Sequence, residues 1–155
     1  MYRNAVMGAA SAVALVFTFS IACAEQFGTA AEAKAMEEKA IAELKANPTA
    51  AIAKFNEPNG GFRDRDLYVF CYSASTGIFD AHANKSLIGK DIRTLKEKDG
   101  SPLGQKIFDT VNAAKEGTIV TIDYNFPKPG TDNPVPKESF VAKVGNEACG
   151  VGYYK

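Results

Sequence analysis

The chain has 155 residues, and its 18 lysines and arginines balance 18 aspartates and glutamates, so the formal net charge is zero. A neutral chain argues against a nucleic-acid partner, which would require a basic patch. The length suits a single domain with one hydrophobic core, and the sequence shows no internal repeat.

The first 24 residues have the pattern of a secretory signal peptide. Arg3 supplies a positive charge, residues 5–22 form a nearly uncharged apolar run, and Ala22-Cys23-Ala24 is a small-x-small cleavage site. We therefore predict export to the periplasm and a single mature domain of residues 25–155, with no later stretch apolar enough to span a bilayer. A retained membrane anchor and a lipoprotein linked through Cys23 are the alternatives.

Helical periodicity follows the predicted cleavage site. Thr29 and Glu32 form a capping box, and apolar residues then recur at three- and four-residue steps as far as Leu44. This pattern places Glu37 and other charged residues on the opposite, solvent-facing side. Pro48 can open a second helix. We predict a long N-terminal helix followed by a short one.

Strand patterns dominate the rest of the chain and are interrupted once by a helix that opens at Ser101-Pro102. Five segments have the composition of strands: 67–72, 78–83, 118–126, 137–144 and 148–154. This order predicts an α+β domain with a five-stranded, mainly antiparallel sheet and a long N-terminal helix.

Several local phrases, in their order and spacing, resemble the single Cache domain of extracytoplasmic bacterial sensors. They include Asn59-Gly60-Gly61-Phe62, Asp66-Leu67-Tyr68-Val69-Phe70, Ala81-His82-Ala83-Asn84, Leu87-Ile88-Gly89-Lys90-Asp91, Asp99-Gly100-Ser101-Pro102, Lys137-Glu138-Ser139-Phe140-Val141 and Val151-Gly152-Tyr153-Tyr154. The resemblance implies a PAS-like sheet with the long helix packed on one face and a small polar pocket over the other. It also implies binding of small organic molecules, often carboxylates or amino-type compounds.

Many members of this family are the outer parts of chemoreceptors and histidine kinases, whereas no second membrane span or cytoplasmic output segment is recognisable in this sequence. We therefore expect a stand-alone exported form, whose partner in signal transduction would be a membrane receptor or transporter. The strand at 118–124 lacks the tryptophan that relatives often carry before the tyrosine, so the resemblance does not identify the ligand.

Lys137 and His82 are the candidate polar groups of the pocket. In the family, the lysine that matches Lys137 points into the pocket, where its ammonium would pair with a ligand carboxylate; the alternative is an edge lysine that discourages strand pairing. His82 is the only histidine. No cysteine or aspartate stands at metal-ligand spacing from it, so we predict neither a metal site nor a cofactor. The resemblance favours a pocket role for His82 over a turn-stabilising one.

Aromatic residues are the candidate pocket walls. Alternation along a strand puts Tyr68, Phe70 and Tyr72 on one face and Leu67, Val69 and Cys71 on the other, so only one set can line a pocket. The predicted ligand-binding set is Tyr68, Phe70, His82, Tyr124, Lys137 and Tyr153.

Two cysteines, Cys71 and Cys149, follow the predicted cleavage site at a spacing too wide for a CxxC redox motif. In an oxidising compartment such a pair favours a disulfide. In the PAS-like strand order that the resemblance implies, their strands are neighbours, and a cross-strand bridge is geometrically possible. Two separately buried thiols are the alternative.

Together these observations predict a periplasmic small-molecule-binding sensor module that is not an enzyme. No nucleophile elbow, zinc pattern or pair of catalytic acids is recognisable. Two alternatives from other classes stay open: a small periplasmic hydrolase or lyase that uses His82, and a structural envelope adaptor.

Overall fold

The computed structural model describes residues 26–155; the predicted signal peptide, residues 1–24, lies outside this part. The helices are α1 (Ala30–Ala46), α2 (Pro48–Asn56) and α3 (Leu103–Ala113), and 3₁₀ turns occupy Lys85–Leu87 and Ile92–Thr94. The strands are β1 (Arg63–Asp64), β2 (Leu67–Ser73), β3 (Phe79–Ala81), β4 (Val120–Pro127), β5 (Pro134–Val144) and β6 (Glu147–Tyr154). The predicted α+β class is confirmed.

The strands form one antiparallel sheet in the order β1-β2-β6-β5-β4, and β3 pairs with the other end of β2. The first and last long strands, β2 and β6, therefore lie side by side. The five predicted strands are all present. The sixth, β1, was not predicted, because its two residues, Arg63 and Asp64, are charged and carry no strand pattern; Arg63 pairs opposite Tyr68.

Helix α1 begins as predicted, because the Thr29 side chain accepts from the Glu32 amide and Glu32 reaches back to the Thr29 backbone. Its buried stripe packs on β5 and β6. The prediction that Glu37 faces solvent is wrong. Glu37 lies in the middle of the stripe, 0% exposed, four residues after Ala33 and three before Ala40, which is the spacing that shares one helical face.

The two faces of the sheet are covered differently. Leu67, Val69 and Cys71 of β2 pack under α1 and α2, in a cluster with Leu44 and Phe55. The alternate residues of β2, Tyr68, Phe70 and Tyr72, face the other side, where they are covered by Ile92, Leu103, Ile107 and Val111. Because both faces of β2 are buried, its sequence is a continuous hydrophobic run that does not alternate with polar residues.

A disulfide joins Cys71 to Cys149, and the prediction of this bridge is confirmed. The two residues lie directly opposite each other in the β2–β6 register, beneath α1. The bridge spans a sequence separation of 78 residues. In the chain-entropy account, closing a loop of this length stabilises the fold by about 4.5 kcal/mol.

Within residues 26–155, no helix combines the length and the apolar composition that a membrane crossing requires.

Candidate ligand-binding site

Aromatic rings enclose a small cavity between the sheet and the segment that connects β3 to α3. The cavity, called here the inner cavity, has a volume of about 20 Å³, enough for one water molecule. Its lining combines residues of β2, β4 and the end of β3 with an apolar roof: Tyr68, Phe70, Phe79, His82, Tyr124, Phe126, Ile92, Leu95, Leu103 and Ile107.

A larger opening, called here the outer cleft, lies beyond Tyr68, His82 and Phe126, which also line the inner cavity. Its remaining walls are residues 83–85 after β3 and residues 127–132 between β4 and β5. Its volume of about 560 Å³ lies within the usual range for sites of small ligands. The three shared side chains therefore separate a nearly filled interior from a cleft that can hold a small molecule.

Lys137 is 1% exposed and projects over the same face of the sheet. It lies opposite Tyr124 on β4 and Tyr154 on β6 in the strand registers. Its Nζ donates to Tyr68 Oη at 2.9 Å and lies 3.5 Å from Tyr154 Oη. The same nitrogen is 4.3, 4.7 and 5.5 Å from the ring centroids of Tyr68, Tyr154 and Phe126, distances at which a cation is attracted by the ring faces.

No carboxylate of the described residues lies within ion-pairing distance of this nitrogen. Burial lowers the pKa of Lys137 to about 7, and the more distant carboxylate of Asp66 opposes part of that shift. The site thus holds a buried amine whose hydrogen-bond partners, within residues 26–155, are phenol groups.

Two glycines of β6 make room for these side chains. A Cβ at Gly152 would collide with Lys137 Cε and Ser139 Oγ, and a Cβ at Gly150 would come within 2.8 Å of Phe70 Cζ. The floor of the site is therefore bare backbone, over which the lysine stem and the phenylalanine ring can lie. This role was not predicted from the sequence, although glycines at alternate positions of a strand are a signal of such close approach.

His82 is 4% exposed and is held in one tautomer. Its Nδ1 accepts a hydrogen bond of 2.9 Å from the Asn84 amide, so the neutral ring carries its proton on Nε2. Burial, and then the charge of Lys137, lowers the pKa of His82 to about 3. His82 is therefore a neutral N–H donor near pH 7, which makes it a poor general base.

The remaining predicted side chains are divided between the two faces. Tyr68, Phe70 and Tyr124 lie on the site side, and Tyr124 Oη is 2.8 Å from Ser139 Oγ. The placement of Tyr153 in the site is wrong. Tyr153 packs with the α1 cluster, stacked on Phe140. Since neighbouring strand residues point to opposite faces, Tyr154 takes the site position.

Asp66 was not predicted and connects the edge of the site to the start of α1. Its Oδ1 accepts a hydrogen bond of 2.7 Å from the Gly28 amide, while its Oδ2 is buried without a partner. Close by, Lys128 of the outer cleft lies 3.3 Å from the ring centroid of Phe27. The segment that leads into α1 is thus attached to two of the elements that surround the cleft.

Taken together, the polar groups of the site are mostly donors: the Lys137 amine, the Tyr68 hydroxyl and the Nε2–H of His82, whereas the Tyr154 hydroxyl donates to the Pro127 carbonyl. Residues 26–155 contain no cluster of His, Cys, Asp and Glu side chains suited to a metal ion. Such a set of donors is complementary to a ligand group that only accepts hydrogen bonds, such as a carboxylate.

Comparison with solved structures identifies the same fold in bacterial sensors. A methyl-accepting chemotaxis protein from Vibrio parahaemolyticus RIMD 2210633 is 23% identical, with a TM-score of 0.63 over 80% of this chain and 86% of that chain. A Cache chemosensory domain described for carboxylic acid recognition is 21% identical, with a TM-score of 0.63 over 80% and 91%. The periplasmic sensor domain of a chemotaxis protein is 26% identical, with a TM-score of 0.60 over 79% and 87%.

No curated protein sequence is significantly similar to the chain. The family described as single Cache domain 2, however, matches residues 21–153, which include all but two of the residues that form the fold described above. Cache domains are extracytoplasmic sensory modules that bind small molecules. The chain belongs to the single Cache domain 2 family.

Proposed function

We propose that this protein is exported to the periplasm, that residues 25–155 form its Cache domain, and that the domain binds a small organic carboxylate beside Lys137. The observation that carries the proposal is the buried amine of Lys137, which has no carboxylate partner among the described residues. A buried charge is costly unless it is paired, and a ligand anion would supply the missing partner.

The position of Tyr68 defines how the ligand would reach this charge. Tyr68 lines the outer cleft, and its hydroxyl accepts from Lys137 Nζ and also hydrogen-bonds Tyr154, so the phenol proton would be donated into the cleft in exchange for the contact with Tyr154. A carboxylate held there would complete a chain of hydrogen bonds from the ammonium through Tyr68. Hydrogen bonds in such chains strengthen one another.

The cleft that Lys137 itself lines is a poorer place for an anion than the outer cleft, from which Tyr68 separates the amine. This edge cleft, of about 280 Å³, has Glu97 and Asp123 in its walls against Lys137 and Lys155, so its charges cancel. In contrast, the outer cleft carries Lys85 and Lys128 against one acidic residue, Asp132. The balance of charge therefore favours the outer cleft for a carboxylate.

In this proposal Tyr68 and His82 line the cleft that holds the ligand, and the side chains behind them are Phe70, Tyr124, Lys137 and, in place of Tyr153, Tyr154. His82 would orient the ligand through its Nε2–H and would not transfer protons, because its pKa is lowered to about 3 by burial. This argues against a hydrolase or lyase that uses His82 and supports a binding module. A membrane receptor or transporter would read the occupied state.

A thermal-shift screen of small carboxylates, amines and amino acids tests the proposal. A ligand that binds only the folded state at one hundred times its Kd stabilises it by about 2.7 kcal/mol, which raises the unfolding midpoint measurably. We expect the shift with carboxylates, its loss in Lys137→Met, and its persistence in Lys34→Met, since Lys34 is exposed on α1. If no carboxylate raises the midpoint, the proposal fails and the structural adaptor becomes the better hypothesis.

A further inference from the structure

We infer that the carboxylate is bound together with a proton, which Lys137 takes up, so that the protein responds to the product of acid and proton concentrations. The inference rests on the proposed function, since it assumes the carboxylate site at Lys137. It adds that the affinity is high in mildly acidic surroundings and falls as the pH rises.

In the empty protein, the surroundings of the Lys137 amine stabilise its charged form only weakly. Lys137 has no close counter-ion in the part of the chain that the structure describes, and its nearest polar contacts are the hydroxyls of Tyr68 and Tyr154. A neutral amine can also hydrogen-bond to these hydroxyls, so the empty site tolerates either protonation state. A carboxylate in the outer cleft would add the negative charge that favours the ammonium.

Protonation then becomes part of binding. Burial lowers the pKa of Lys137 to about 7, and a bound carboxylate would raise it again. Below that pH the amine is already charged and no proton is taken up. Above it, each binding event takes up a proton, and the affinity falls by up to about tenfold per pH unit until the pH passes the pKa of the occupied state.

The groups that face Lys137 from the neighbouring strands do not titrate in the same interval. Burial raises the pKa of Tyr68 on β2, of Tyr124 on β4 and of Tyr154 on β6 well above their ordinary values. Burial lowers the pKa of His82, after β3, to about 3.

The charged residues around this shell are Asp66 in the β1–β2 turn and Arg63 on β1, whose guanidinium lies 3.5 Å from the His82 carbonyl. In the edge cleft, Lys155 forms an exposed ion pair with Asp123 and holds the pKa of that carboxyl below its ordinary value. Lys137 is thus the group of the site whose charge changes near neutrality.

One carboxyl elsewhere needs a control. Burial, with the neighbouring Asp80, raises the pKa of Glu147 to about 7. Glu147 lies at the far end of β6, opposite Ser73, whereas the site is at the Tyr154 end. Because Glu147 does not face the ligand, Glu147→Gln should leave the pH dependence of binding unchanged.

The experiment is calorimetry of the purified protein with acetate, propionate, pyruvate and succinate at about pH 6 and about pH 8.5, in two buffers that differ in ionisation heat. At the higher pH we expect affinity at least tenfold lower and a buffer-dependent heat that reports proton uptake. Lys137→Arg keeps its charge throughout and should remove both effects. Lysine ε-carbon NMR, assigned with that variant, gives the pKa of Lys137 in the empty protein.

The outcomes separate the two proposals. Affinity that is equal at both pH values, or a Lys137 amine that titrates above about pH 10 in the empty protein, would overturn proton uptake while leaving a carboxylate site in place. Absence of binding by all four acids at both pH values would overturn the proposed function and this inference with it. Proton uptake is supported if the affinity of the wild type is lower at high pH, if Glu147→Gln keeps this difference, and if Lys137→Arg removes it.

Discussion

Each face of the sheet buries one ionisable side chain, and the two surroundings differ. Under α1, Glu37 is 0% exposed in an apolar cluster, and burial affects its carboxyl more strongly than the nearby backbone amide of Ala142 does. On the opposite face, Lys137 is equally buried but touches two phenol hydroxyls and stands behind a cleft wall. A buried charge beside donors and open space is suited to binding a ligand anion, whereas a buried acid in a closed apolar interface only costs stability.

The disulfide belongs to the α1 face, and its removal should have the largest effect of the changes considered. Cys71→Ala/Cys149→Ala is expected to lower the free energy of unfolding by about 4.5 kcal/mol, since it restores the entropy of a long loop. Urea denaturation with and without reductant measures this. Unchanged stability on reduction of the wild type would show that the bridge does not contribute.

On the site face, Lys137→Met should abolish carboxylate binding and yet stabilise the empty protein. Burial lowers the pKa of Lys137 from 10.5 to about 7, so at about pH 6 the folded state holds an unfavourable charge worth roughly 2–4 kcal/mol. Between these two pKa values the unfolded chain binds more protons. The stability of the empty wild type should therefore rise with pH, by up to about 1.4 kcal/mol per unit.

This rise should be absent in Lys137→Met, as measured by denaturation at a series of pH values. Glu147 contributes a slope of the opposite sign at lower pH, because its raised pKa makes the folded state bind more protons between pH 4.5 and about pH 7. A variant that is less stable than the wild type at about pH 6 would contradict the description of Lys137 as a buried, poorly paired charge.

Glu37→Met tests the other half of the comparison. Burial raises the pKa of Glu37 well above its ordinary value, so the folded state keeps the carboxyl protonated and loses stability as the pH rises above the unfolded value of 4.5. Replacement by an apolar side chain of similar length should stabilise the protein by about 1–3 kcal/mol at neutral pH. The affinity for the ligand should not change in this variant. Weaker binding would mean that α1 and the site are coupled.

The smallest expected effect separates two adjacent tyrosines. Tyr154 Oη donates to the Pro127 carbonyl at 2.6 Å and lies near Lys137, so Tyr154→Phe should weaken carboxylate binding by about three- to tenfold. Tyr153→Phe removes a hydroxyl on the α1 face that bonds Glu138, and should leave affinity unchanged. Calorimetry on both variants makes the comparison; equal effects would contradict the assignment of faces.

The sequence predicted a structural feature correctly where a local pattern, or a phrase shared with the family, determined that feature. The capping box at Thr29, the cross-strand cysteines and the pocket face of β2 follow from such patterns. Lys137 came from the resemblance, because nothing in its immediate neighbours distinguishes a buried lysine from an edge lysine. Its burial depends on the absence of a side chain at Gly152, one strand away.

The wrong and missing predictions have one cause, because each of these residues takes its role from contacts with residues distant in sequence. Glu37 has the composition of a surface residue, and only the angular position of α1 on the sheet buries it. Tyr153 and Tyr154 point to opposite faces of the sheet, and the pairing of β6 with β5 determines which of them faces the site. Asp66 is distinguished only by its bond to Gly28, a contact across 38 positions of sequence.

A crystal structure of the protein with the carboxylate that gives the largest thermal shift tests the central claim most directly. We predict density for its carboxylate group in the outer cleft, within hydrogen-bonding distance of Tyr68 Oη, with the Lys137 amine directly behind. A carboxylate bound in the edge cleft or on the outer surface of α1, with the surroundings of Lys137 unchanged, would contradict the account.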